Sequence, residues 1–190
     1  MQAKRRTSLI SPVSKLKVHR IIIWVAFLSC GFDIASKKIV LNSLGSEPKR
    51  IIGSLLQLHL AFNSGAAFSF APSATYLFSL FSIAMALLTI FLSKKINSRP
   101  WAYVSGLILG GISGNLLDRV FRAPSFLRGD VVDWIQVPYW PIFNFADSAI
   151  FIAAVLACIL TFRDIAPIQS NSNSESNQQR KVDTNKNDNS

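Results

Sequence analysis

The sequence predicts an all-α integral membrane protein: four transmembrane helices, a small extramembrane β-sheet, and both termini in the cytoplasm. Three observations lead there. Of the 190 residues, 50% are hydrophobic and only 16% are charged, against roughly a quarter charged in soluble domains. Long runs carry no charge at all: Ile51 to Ser93 has no Asp, Glu, Lys or Arg, with His59 its only ionisable candidate, and Trp101 to Leu117 has none. The 20 Lys and Arg outnumber the 10 Asp and Glu, for a net charge of +10, and they cluster between the apolar runs. This composition excludes a disordered chain, and two cysteines exclude a disulfide framework. Charge so sparse also argues against a nucleic-acid partner.

The apolar runs set the elements in order. A bilayer core of roughly 30 Å needs about 20 residues of helix. The spans read as Ile21 to Ser36, Ser73 to Leu92, Trp101 to Leu117 and Ile142 to Phe162, with Pro141 as opener of the last. The first and third are short, so their ends continue into the interface. Between them, Leu55 to Leu60 alternates imperfectly after Gly53 and before Asn63-Ser64-Gly65, and reads as a short strand, with Val131 and Val132 pairing with it or with a neighbour. Gly106, Gly110, Gly111 and Gly114 recur along the third span, a spacing that lets another helix approach closely.

Basic residues set the orientation. Lys4, Arg5, Arg6, Lys15, Lys17 and Arg20 precede the first span; Lys94, Lys95 and Arg99 link the second and third; Arg163, Arg180, Lys181 and Lys186 follow the fourth. The opposite side has fewer: Lys37, Lys38, Lys49, Arg50, Arg119, Arg122 and Arg128. The segments 37–72 and 119–141 therefore face the exterior or periplasm. Residues 1–19 form a basic flank with attraction to membrane lipid, 20–165 the membrane domain, and 166–190 a polar tail too poor in apolar residues to fold.

Acids inside such a chain are expensive and mark function. Asp33, Asp118, Asp133 and Asp147 all fall at the outer depth. Asn115, Asp118 and Arg119 share a face at the end of the third span, and Asn144, Asp147 and Ser148 share one at the start of the fourth. Two polar faces at equal depth should meet each other, not lipid. Two carboxylates held close cannot both ionise easily, and such a pair activates water for attack on a carbonyl. Other chemistry lacks residues. His19 and His59 have no metal-ligand spacing, Cys30 and Cys158 lie in different spans without a neighbouring His, and Ser36, Ser69 and Ser113 have no adjacent base. No metal or cofactor is expected. Asp130 after Gly129 reads as a solvated turn residue, Lys37 and Lys38 as side chains that snorkel, and Asp118 with Arg119 as an ion pair fixing a helix end. Phe62, Phe68 and Phe70 read as packing or interfacial residues. Leu28-Ser29-Cys30 resembles a lipidation signal, but Phe27 fits it poorly. A proton-coupled carrier would instead need polar residues through the full thickness, and an assembly factor would tolerate loss of its acids.

Five blocks, in order, carry a resemblance: DIASK (Asp33 to Lys37), FNSGAAFSF (Phe62 to Phe70), GGISGNLLDR (Gly110 to Arg119), VVDW (Val131 to Trp134) and FNFADSAI (Phe143 to Ile150). The chain resembles the lipoprotein signal peptidase (signal peptidase II) family, aspartic endopeptidases of the bacterial cytoplasmic membrane. They remove signal peptides from prolipoproteins by cutting before a diacylglyceryl-modified cysteine. The resemblance implies Asp133 and Asp147 as the catalytic pair. It implies supporting or substrate-binding roles for Asp33, Lys37, Asn63, Gly65, Asn115, Asp118, Arg119 and Asn144. Two departures stand out: Ile34 occupies a position where the family usually has Gln, and the loop from Asp133 to Asp147 is somewhat short.

Overall fold

A computed structural model describes residues 15–45, 47–65 and 74–168. The outer part of the basic flank, residues 66–73 with Phe68, Ser69 and Phe70, and the tail from 169 lie outside the described residues. The elements run α1 (Lys15–Ser43), β1 (Lys49–Ile52), β2 (Leu56–Asn63), α2 (Ala74–Ser93), α3 (Arg99–Phe121), β3 (Val131–Gln136) and α4 (Phe145–Phe162). Among the described residues three helices are long and apolar enough to cross a membrane: α1, α2 over Thr75–Ser93, and α4. They turn large apolar side chains outward, among them Ile23, Trp24 and Phe27 on α1, Leu77 and Phe81 on α2, and Phe151 on α4. Such an exposed apolar girdle is stable only against lipid or another apolar surface.

The expectation of four apolar spans is thus met by three helices. α3 has the length, but its apolar run is diluted by Gly, Ser and Asn and ends in Asp118 and Arg119. The reason lies in the packing. α3 is the innermost helix, with Ala102, Val104, Ser105 and the four glycines Gly106, Gly110, Gly111 and Gly114 buried. A Cβ on Gly106 would lie 2.7 Å from Val25 Cβ, and one on Gly110 2.8 Å from the Ala26 carbonyl, so this face seats α1 backbone against backbone. One on Gly111 would meet the Ala146 carbonyl of α4 at 2.5 Å. Only glycine permits these approaches.

The contacts also set the directions of the helices. Val18 and Ile22 of α1 pack on Ile96 and on Ala102 near the start of α3. The Trp101 Nε1 of α3 donates to the Ile165 carbonyl just beyond α4, at 2.6 Å. One end of the bundle therefore gathers the starts of α1 and α3 with the ends of α2 and α4. The other end carries the sheet.

That sheet is antiparallel, in the order β1-β2-β3. The strand expected at 55–60 runs on to Asn63, and it is this extension that meets the valines: Phe62 faces Val132, Asn63 faces Val131 and Ala61 faces Asp133, while Gln57 and Leu58 face Gln136 and Ile135. A bulge between Leu58 and Ala61 shifts the register. β1 was not legible, because four exposed residues beginning Lys49-Arg50 show neither alternation nor an apolar face.

Two boundaries differ from expectation. α1 continues past Asp33 to Ser43, so Asp33 sits within the helix and not at its end. α4 opens at Asn144 and not at Pro141, because Asn144 supplies the cap that the first free N–H groups need.

Candidate active site

Four elements converge beside the sheet, and each delivers a carboxylate. α1 brings Asp33, α3 brings Asp118, β3 brings Asp133 and the first turn of α4 brings Asp147. Asp147 stands at the third position of α4 and forms a reciprocal cap with Asn144. The Asn144 Oδ1 accepts from the Asp147 backbone N–H at 3.0 Å, and Asp147 Oδ2 accepts from the Asn144 backbone N–H at 3.2 Å. Asn144 is therefore the cap, not a member of a shared helical face. This holds a half-buried carboxylate at the positive end of the helix dipole.

The same Asn144 amide joins Asp147 to Asp133. Its Nδ2 donates to Asp133 Oδ1 at 2.6 Å and to Asn115 Oδ1 at 3.0 Å. Asn115 Nδ2 in turn donates to Asp147 Oδ1 at 2.8 Å. Asn63, at the end of β2, donates to Asp133 Oδ2 at 2.9 Å. Two carboxylates thus share one set of amides. Asp133 is 2% exposed. Burial pushes its carboxyl up to about 6, and the neighbouring Asp147 adds to this, while donation from Asn63 and Asn144 and the charge of Lys37 pull the other way. A carboxyl near 6 holds its proton far longer than an exposed Asp, so the pair can carry one shared proton.

Beneath this pair lies a buried ionic frame. Lys37 Nζ sits 2.6 Å from Asp33 Oδ2 and 2.8 Å from Asp118 Oδ2, and donates to Asn115 Oδ1 at 3.1 Å. Asp33 Oδ1 accepts from the Ala146 backbone N–H at 2.9 Å, which ties α1 to the first turn of α4. Asp118 Oδ2 accepts from the Val132 N–H at 3.2 Å, which fixes β3 one residue before Asp133. The frame therefore aligns both elements that carry the pair. Arg119 is also buried, its guanidinium beside the Phe78 ring, and its Nη1 has no hydrogen-bond partner among the described residues. Gly65 adopts φ +90°, and a Cβ there would lie 2.6 Å from Phe78, so this turn against Phe78 and Arg119 requires glycine. Among the described residues no group of three His, Cys, Asp or Glu is arranged to hold a metal ion.

The sequence model of Signal peptidase (SPase) II matches residues 25–163. The chain belongs to the signal peptidase II family. Membership makes it a peptidase. It is 42% identical over 144 residues to the lipoprotein signal peptidase of Streptomyces coelicolor, covering 75% of this chain and 71% of that protein. It is 40% identical over 136 residues to that of Rhodococcus jostii, covering 71% and 69%. Against that of Mycobacterium tuberculosis it is 39% identical over 143 residues, covering 75% and 71%. A solved bacterial membrane enzyme superposes with a TM-score of 0.67 at 26% identity, covering 75% of this chain and 93% of that one. A second does so with 0.66 at 24%, covering 78% and 92%.

Some readings of side chains need correction. Asp118 does not pair with Arg119. It bonds Arg122 Nε at 2.5 Å and Lys37, because the i, i+4 spacing carries Arg122 back along the helix to the carboxylate. Lys37 does not snorkel: it is 1% exposed, held by carboxylates one turn away on α1 and across on α3. Arg122 was missed, although its spacing from Asp118 was the available signal. Asp130 is half-buried rather than solvated, and its charge faces Arg119. A cleft of about 600 Å³ lined by Leu55, Gln57, Gln136, Tyr139 and Trp140 contains none of the four carboxylates.

Proposed function

We propose that this chain removes signal peptides from diacylglyceryl-modified prolipoproteins, and that Asp133 and Asp147 are its catalytic residues. The observation that carries the reading is the pair itself: two carboxylates from β3 and α4, bridged by the Asn144 and Asn115 amides, one of them almost wholly buried. The pair holds one proton. Its ionised member takes a proton from water as the oxygen attacks the scissile carbonyl carbon, and its neutral member donates to the carbonyl oxygen. Collapse of the tetrahedral intermediate breaks the C–N bond, and the pair returns a proton to the leaving amine. The sharing belongs to the dyad and to neither aspartate alone. Asn63 and Asn144 orient Asp133, Asn115 orients Asp147, and Asp33, Lys37 and Asp118 hold the frame. The Nη1 of Arg119, without a partner among the described residues, is a buried donor suited to a substrate carbonyl, since an unmet donor is costly until substrate satisfies it.

The topology follows from the same reading. α3, though diluted by glycines, is the fourth span, shielded from lipid by its neighbours. Both termini are cytoplasmic, and the dyad and sheet lie at the periplasmic face of the inner membrane. The signal helix enters laterally from the bilayer, and membrane lipid is its co-solvent and partner. The test is cleavage by purified enzyme of a prolipoprotein prepared with and without the diacylglyceryl group. Cleavage before the modified cysteine alone supports the assignment, and equal cleavage of the unmodified chain refutes it.

A further inference from the structure

We propose that Lys37 is a positioning residue that fixes which way the Asn115 amide faces, so that Asp147 receives an N–H donor and not a carbonyl oxygen. This rests on the reading of Asp133 and Asp147 as the catalytic pair. A primary amide has two ends of nearly equal shape and opposite polarity, so its neighbours decide its orientation. For Asn115 the deciding neighbours are the Lys37 ammonium at 3.1 Å and the Asn144 amide at 3.0 Å, both donors to Oδ1. Its Nδ2 is then left for Asp147. For Asn144, Oδ1 takes the Asp147 N–H, leaving Nδ2 for Asp133. The charge of Lys37 thus acts through the Asn115 amide on Asp147, while the helix cap itself orients Asn144 toward Asp133.

The ammonium can do this because it cannot move. Asp33 and Asp118 grip it on α1 and α3 and are themselves bound to the Ala146 and Val132 N–H groups. The flipped Asn115 would aim its NH₂ at an ammonium and its carbonyl at Asp147. Lys37 therefore keeps the Asn115 Nδ2 donor on Asp147, beyond the direct charge it places near Asp133. Besides Lys37, Arg119 on α3 is the charged group that faces both members of the pair; Asp118 and Asp130 face that Arg119, Asp33 and Asp118 face Lys37, and β2 contributes the neutral Asn63.

The test is a double-mutant cycle of Lys37→Met and Asn115→Ala in detergent-purified enzyme. It is read by the pH profile of kcat and by infrared titration of the carboxyl band, which needs no activity. Lys37→Met is expected to move the acid limb up by about one pH unit, as loss of an opposite charge does. Lys37→Arg is expected to leave it in place. In the Asn115→Ala background the Lys37→Met shift is expected to shrink severalfold. An equal shift in both backgrounds, or in neither, overturns the proposal. Should Lys37→Met fail to fold, Asn115→Asp carries the test. It keeps a partner for Lys37 but presents oxygen to Asp147, so an unmoved acid limb overturns the proposal. If wild-type cleavage does not depend on Asp133 and Asp147, the functional reading has failed; if it does and the cycle is additive, only the role of Lys37 has.

Discussion

Replacing Gly114 by Ala adds one methyl where α1, α3 and α4 meet. Its Cβ would lie 2.5 Å from Asp33 Oδ2, 3.0 Å from Asp33 Cγ and 3.2 Å from Ala146 Cβ. Comfortable contact is about 3.5 Å, so roughly 1 Å of movement is required. Neither neighbour gives easily. Asp33 is held on one oxygen by the Ala146 N–H at 2.9 Å and on the other by Lys37 at 2.6 Å, and Ala146 belongs to the first turn of α4. Overpacking costs about 1–3 kcal/mol, and loss of a charged hydrogen bond about 1.5–3 kcal/mol. Helix propensity returns up to about 1 kcal/mol. The net loss is about 2–4 kcal/mol, a fall in Tm of roughly 5–15 °C for a chain of this size. Because Ala146 precedes Asp147, a displaced N–H also misplaces the dyad, and about 100-fold in rate is expected from a shift near 1 Å. Gly31→Ala is the control, since a Cβ there meets nothing within 4 Å. Thermal unfolding in detergent and prolipoprotein cleavage are measured for both variants. If Gly114→Ala matches Gly31→Ala in Tm and rate, the close approach at Gly114 is refuted.

Two further outcomes follow from Asp133. Its folded carboxyl near 6, against an ordinary 3.8, means that the folded state binds its proton more tightly than the unfolded chain does. That stability is present below about pH 4 and is lost as pH rises through about 6, by at most about 3 kcal/mol. Asp133→Asn lacks this ionisation, so its Tm relative to wild type should climb between pH 4 and 7; a constant offset across that range would contradict the burial argument. Asn63→Ala removes one N–H donor from the Asp133 carboxylate while disturbing only an exposed strand end. The acid limb of kcat should move up by about half a unit to one unit, measured as a pH–rate profile, and an unmoved limb would deny the contact a role in the reaction.

Much of this arrangement was legible because membrane insertion imposes simple rules. Charge-free runs located the helices, and the glycines of α3 announced its close packing before any contact was known. The strand at 55–60 was legible from alternation, but its extension to Asn63, which meets Val131 and Val132, was hidden because Asn63 reads as a turn residue. What was not legible depended on geometry between distant segments. Four exposed residues of β1 carry no pattern. The cap at Asn144 competes with Pro141 as a start signal, and only the reciprocal bonds with Asp147 decide between them. Asp118 had Arg119 beside it in sequence, yet adjacent helical residues diverge by about 100°, so the partner is Arg122. The burial of Lys37 required Asp118 to arrive from α3, which no local pattern announces.

Hydrolysis by two aspartates, as proposed, requires both carboxylates at once. The most direct measurement is cleavage of a diacylglyceryl-modified prolipoprotein by purified Asp133→Asn and Asp147→Asn enzymes, each shown by thermal unfolding to remain folded. Both are expected to lose cleavage by at least about a thousandfold, since neither half of a shared-proton pair works alone. Turnover within tenfold of wild type by either folded variant would contradict this expectation.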